Sequence, residues 1–164
     1  MVYGYMNRGM HEGGMGVSVC SYSYEDNETT ELLYIPVNLP YEALCSTVGD
    51  VAYLSEDRSF YIILGDTLYS VALDSREVMT VVSGLTAGTY KVADNGRIIA
   101  YSTNGELYNT DIIRVYNMEN SSDYTITAEP GDKLMALGYI GTDFVYGKAH
   151  EADISEEENG VVTF

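Results

Sequence analysis

A chain of 164 residues, 46% of them hydrophobic, is long enough for one domain whose folding removes roughly 70% of the unfolded surface from water. Its 25 Asp and Glu against 8 Lys and Arg give a formal charge of -17, which repels phosphate and sets nucleic acid and anionic lipid aside as partners. The acidic excess reads first as a solubilising surface, with attraction to a cation or a basic protein surface as the alternative. The 16 tyrosines, with 3 phenylalanines and no tryptophan, suit half-buried strands in which the ring packs and the hydroxyl stays wet.

In chain order, residues 2–6 read as a strand already in mid-structure, followed by a Gly-rich loop over 7–14 that carries Arg8, His11 and Glu12. Residues 15–24 alternate with period two, with Cys20, Tyr22 and Tyr24 on one face and Val19, Ser21 and Ser23 on the other. A turn at 25–28 leads into a strand over 30–37, where Pro36 marks an edge or an end because it has no N–H for the ladder. Residues 41–47 fit a short helical turn or a strand equally well. A second unit, 50–83, contains four short strands at 51–54, 59–64, 67–73 and 77–82. The turns between them, at Glu56-Asp57, Gly65-Asp66 and Asp74-Ser75, are too tight for βαβ crossovers.

The third unit, 89–127, has strands at 89–93, 97–102, 111–118 and 123–127. Its first turn, Asp94-Asn95-Gly96, holds Asn-Gly, the strongest short hairpin signal, which predicts positive φ at both central residues. A fourth, partial unit over 134–164 follows Pro130-Gly131, with strands at 134–140 and 144–148. The acidic run 151–158 reads as a solvated hairpin loop, with a basic partner as the alternative. A last strand starts at 161.

Val81 recurs as Ile126 and Leu73-Asp74 as Met118-Glu119, 45 positions on. A longer echo relates Val2-Tyr3-Gly4 to Val145-Tyr146-Gly147 and Gly16-Val17 to Gly160-Val161. Four-stranded repeats of about 40 to 45 residues are the signature of propeller blades. The fold expected is therefore all-β: antiparallel four-stranded meander blades in an incomplete β-propeller of about three blades (2–47, 50–83, 89–127) and part of a fourth (134–164). A β-sandwich with Greek-key connections is the alternative.

The run from Ala93 through Asp94-Asn95-Gly96 to Ile99-Ala100-Tyr101, followed by Asp111-Ile112-Ile113-Arg114-Val115-Tyr116, resembles the repeat of TolB-like propellers. The same repeat forms the substrate-gating domain of prolyl-oligopeptidase-type enzymes. The Trp-Asp pair of WD repeats and the Gly-Gly with Trp pattern of kelch repeats are missing. The resemblance implies a non-catalytic scaffold or recognition segment for protein, peptide or glycan, in an extracytoplasmic or cell-surface part of a larger protein. The alternative is an accessory gating domain of a hydrolase whose catalytic domain lies outside this chain. Closure of the ring by a second copy, as a homodimer, is also expected, since propellers close with four blades or more.

Motifs that carry chemistry are few in the chain. His11-Glu12 lacks the second histidine of a zinc-peptidase helix, because Met15 occupies that place. Gly16-Val17-Ser18-Val19-Cys20 departs from a nucleophile elbow at Cys20, where a small residue is needed. No metal site and no cofactor are expected. Asp57, Asp94 and Asp143 read as turn residues rather than calcium ligands. Cys20 and Cys45 read as free thiols, or as a single bridge if the parent is exported. No signal peptide and no membrane helix are apparent. The tyrosines Tyr22, Tyr24, Tyr90, Tyr101 and Tyr116 read as sheet packing rather than a sugar platform. Arg8, His11 and Glu12 remain the candidate ligand-binding cluster, because loops at strand ends are where propellers bind; the plainer reading is an Arg8–Glu12 surface pair.

Overall fold

The computed structural model describes residues 2–5, 9–45, 48–156 and 162–163. The chain is almost entirely antiparallel β, arranged as successive small sheets. β1 (Val2–Tyr5), β2 (Met15–Ser23) and β3 (Glu28–Pro36) form a first sheet in the order β1-β2-β3. β4 (Ala52–Leu54), β5 (Ser59–Leu64), β6 (Thr67–Ala72) and β7 (Val78–Val82) form a second, in chain order. β8 (Tyr90–Val92), β9 (Ile98–Ser102), β10 (Ile112–Asn117) and β11 (Ser122–Thr127) form a third. β12 (Asp132–Ile140) pairs with β13 (Asp143–His150), and β14 (Ser155–Glu156) with β15 (Val162–Thr163). Among the described residues every paired strand is a chain neighbour of its partner, so no Greek-key crossover is formed. The first sheet has three described strands where four were expected.

Residues 41–47 fit a helix or a strand equally well in sequence; over 41–45 the helical reading holds, 46–47 lying outside the described residues, and α1 (Tyr41–Cys45) is a short helix in the link between the first and second sheets. Pro40 precedes it, where a missing N–H costs nothing and the carbonyl still accepts from the Leu44 N–H at 3.1 Å. Glu42, Ala43 and Leu44 are good helix formers. Leu44, 1% exposed, drops into the core and anchors the turn.

Period-two alternation gives each sheet two faces, and both faces of the middle sheets are apolar. Phe60, Ile62 and Val71 of the second sheet share a core with Val17, Leu33 and Ile35 of the first. On its opposite face Tyr61, Ile63 and Leu68 share another with Ile99, Tyr101 and Met118 of the third. The third sheet then turns Ala100, Ile113 and Val115 to Leu134 and Ala136 of β12. Full burial of one such Leu or Ile contributes about 1.5–3 kcal/mol, so these three seams hold the sheets in sequence.

The first hairpin turns of the middle sheets solve one problem with different residues. Ser55 N–H bonds the Ser59 carbonyl at 3.0 Å, closing a three-residue loop with Arg58 at φ 64°. Ala93 N–H bonds the Ile98 carbonyl at 2.9 Å, closing a loop one residue longer with Gly96 at φ 71°. Gly96 takes the left-handed conformation, but Asn95 does not, so the Asn-Gly turn is a type I turn followed by a left-handed residue. The Asn95 side chain is used instead to accept the Arg97 N–H at 2.9 Å.

Candidate functional site

The loop that carried the sequence candidates folds onto the outer face of the first sheet. Glu12 N–H bonds the Gly9 carbonyl at 3.2 Å and Gly14 N–H bonds the His11 carbonyl at 2.9 Å, a double turn that sets the imidazole over β3. The His11 ring stacks on Tyr34 with centroids 3.8 Å apart and planes 10° from parallel. A side chain at Gly16 would collide with the Tyr34 ring and the Ile35 carbonyl, at 2.6 and 2.5 Å, so the bare backbone there makes room for the stack. His11 Nε2 lies 2.7 Å from Glu31 Oε1, and the Ser18 hydroxyl donates to Glu31 Oε2 at 2.6 Å. Glu12 is exposed, and Arg8 lies outside the described residues.

The order of this chain decides its chemistry. A nucleophilic triad needs the imidazole between hydroxyl and carboxylate, so that the base touches the proton it removes. Here the carboxylate is central. The Ser18 hydroxyl first, and His11 second, hold the Glu31 carboxyl below its ordinary range, which makes it a weaker base. The arrangement is a clasp that fastens loop to sheet. Sequence reasoning missed Glu31 and met Ser18 only as the centre of a nucleophile elbow that fails at Cys20, because the two come from different strands and meet only through the register of β2 and β3, which shifts at a bulge between Val19 and Cys20.

The second histidine belongs to another cluster. Asp132, 3% exposed at the start of β12, accepts from Lys148 Nζ at 2.8 Å and lies 2.5 Å from His150 Nδ1. The His150 contact has ion-pair distance without hydrogen-bond alignment. Lys148 above all holds the Asp132 carboxyl below its usual value. Lys148 also reaches Glu129 at 3.3 Å, so the group pins the β12–β13 hairpin to the preceding loop. Among the described residues no three His, Cys, Asp or Glu side chains gather as a metal would require. Cys20 and Cys45 are free thiols. No helix among the described residues is long and apolar enough to cross a membrane.

A wide concavity lies elsewhere. A groove of about 730 Å³ runs between the first strands of the second and third sheets, lined by Asp50, Tyr53, Tyr90, Lys91, Asp94 and Gly96 among others. Tyr90 Oη donates to Asp50, and burial first, the carboxylate second, pushes the phenol well above its ordinary range. At one end Tyr53 Oη donates to Glu119, whose other oxygen accepts the Glu56 N–H at 3.2 Å, tying the second sheet's turn to the third sheet. In the sequence Glu56, Asp94, Asn95 and Gly96 read as turn residues, Glu119 as part of the repeat and Tyr90 as a packing residue, and none of them as a site. Asp50 and Tyr90 are 40 positions apart and carry no signal of their meeting.

Comparison with known proteins gave no match to a family model, to a curated protein or to a solved structure.

Proposed function

We propose that the chain is a non-catalytic recognition segment of a TolB-like β-propeller, binding protein, peptide or glycan in the groove between β4 and β8. One observation carries the reading: the first strands of consecutive meanders, each packed face to face with the next, border an open groove lined by tyrosine and aspartate. Propellers present the first strand of each blade to the central channel, so a groove there faces the part of the ring that ligands enter. The Ser18–Glu31–His11 order speaks for binding over catalysis. A second copy completes the ring in this reading, with a dimer in sedimentation as its consequence and a monomer as the contrary result.

The test is chemical-shift mapping of the labelled chain against panels of short peptides and oligosaccharides, with turnover of ester and peptide substrates measured alongside. Ligands whose shifts cluster on 50–54 and 90–96 support the reading. Turnover abolished by Ser18→Ala, or ligands mapping only to other faces, overturns it.

A further inference from the structure

The walls of the groove are strand edges, and the register tells which backbone groups look into it. Ser102 N–H bonds the Thr89 carbonyl and Ala93 N–H bonds the Ile98 carbonyl, both at 2.9 Å, so Thr89 and Ala93 spend their polar groups on β9. By the period of two Lys91 does the same, which directs the N–H and C=O of Tyr90 and Val92 to the opposite side. On β4 the bonds from Ser55 N–H to the Ser59 carbonyl and from Ile63 N–H to the Val51 carbonyl leave Ala52 and Leu54 facing outward in the same way. Among the described residues these four outward pairs of groups have no hydrogen-bond partner.

Two outward residues on one edge repeat their donors and acceptors every two residues, about 7 Å apart, which is the repeat of an extended polypeptide added as a strand. Charge then selects among peptides. Asp50 stands beside Tyr90, Asp94 lies two residues after Val92, and Lys91 is the one cation among the described residues lining the groove. The chain as a whole carries 25 acidic against 8 basic residues, so a basic segment is drawn to this face and an acidic one repelled.

We propose that the groove takes an extended, lysine- or arginine-bearing peptide segment as an added strand on the edge of β8, its cations set against Asp50 and Asp94. The inference rests on the reading of the groove as a recognition site and names its ligand class. The probe is an eight-residue Lys-Thr alternating peptide, titrated at physiological ionic strength. Its comparisons are the Glu-Thr counterpart and two forms N-methylated at every second residue, one for each register.

Binding of the Lys-Thr peptide is expected to shift the Tyr90 and Val92 amides and slow their hydrogen exchange. One N-methylated form should lose at least tenfold in affinity. Val92→Pro, which removes an outward N–H and spares the bonds to β9, should lose a similar factor, and the double variant Asp50→Asn/Asp94→Asn about tenfold. The proposal is overturned if both N-methylated peptides bind like the parent, if the Glu-Thr peptide binds as well, or if the Lys-Thr peptide perturbs only other acidic surfaces. The N-methylated pair decides the matter even if a variant does not fold. Should other ligands map to the groove while the Lys-Thr peptide does not, the ligand class fails and the recognition site stands; should none map there, the recognition site itself fails.

Discussion

In the second sheet Leu68 is sealed against the third, and in the third sheet Ile113, at the matching place on its strand, is sealed against the fourth. Leu73 N–H bonds the Arg58 carbonyl just as Met118 N–H bonds the Arg97 carbonyl, and Arg76 and Ser121 take the same positive φ in the turns that follow. The loops between the second and third strands do not match. Gly65-Asp66 turns at once in the second sheet, whereas 103–111 wanders in the third, held by Asn104, which accepts from Ser102 Oγ and Thr110 Oγ1 and donates to the Asn109 carbonyl. Seams and hydrogen-bonded turns are thus held in common, and loop length is free. The repeat is a pattern of faces and turns more than of residues.

The sharpest way to break that equivalence is to open both seams. Leu68→Ala and Ile113→Ala should each cost about 2–5 kcal/mol in urea unfolding, as for other fully buried aliphatic side chains. Because they sit in separate cores, the double variant should equal the two effects added, within about 0.5 kcal/mol. A negligible effect at either position would show that the two sheets are not held alike.

The turns give a smaller contrast. Gly96→Ala puts a Cβ on a left-handed residue and should cost about 1–2 kcal/mol. Arg58→Gly relieves the same strain in the second sheet but loses an exposed ion pair with Asp74 and gains freedom in the unfolded chain. Its net change should stay within about 1 kcal/mol. Between these in rank is Tyr61→Phe, which removes a buried hydroxyl lying 3.1 Å from Ser121 Oγ and 3.3 Å from Tyr116 Oη, at a cost of about 1 kcal/mol. Calorimetry of the three variants orders them.

The smallest effect is one of pH. In the second sheet's turn the Ser59 N–H bonds Asp57 Oδ1 at 3.1 Å, where the third uses Asn95. The Ser55 hydroxyl first, and the Ser59 N–H second, hold the Asp57 carboxyl below its ordinary 3.8. A depressed carboxylate stabilises the folded state above the unfolded value and loses that contribution as pH falls through the folded one. Exchange at the Ser59 amide, corrected for intrinsic rate, should therefore quicken below about pH 4 while that at Arg97 holds steady. Asp57→Asn should abolish the difference.

Most of the strands could be read from the chain because their cause is local: alternation over 15–24, β-branched and aromatic runs at 59–64, and turn residues such as Gly65-Asp66. The helix at Tyr41 could not be decided, since the burial of Leu44 against the first two sheets is a tertiary fact. The same limit applies to function. His11 was visible as a lone histidine among glycines, but Glu31 reaches it from 20 positions away and only after β2 and β3 have paired. The groove was further from view, being an empty space between two edges whose residues, Ala52 and Val92 among them, look ordinary in sequence.

Strand pairing confined to chain neighbours bears on how the molecule comes to be made. Among the described residues every ladder closes a short stretch of polypeptide, and short closures are entropically cheap and quick. A meander can zip as soon as its last strand has left the ribosome and then wait only for the preceding one to dock against. Synthesis and assembly can proceed at the same pace, with no early segment held open for a distant mate.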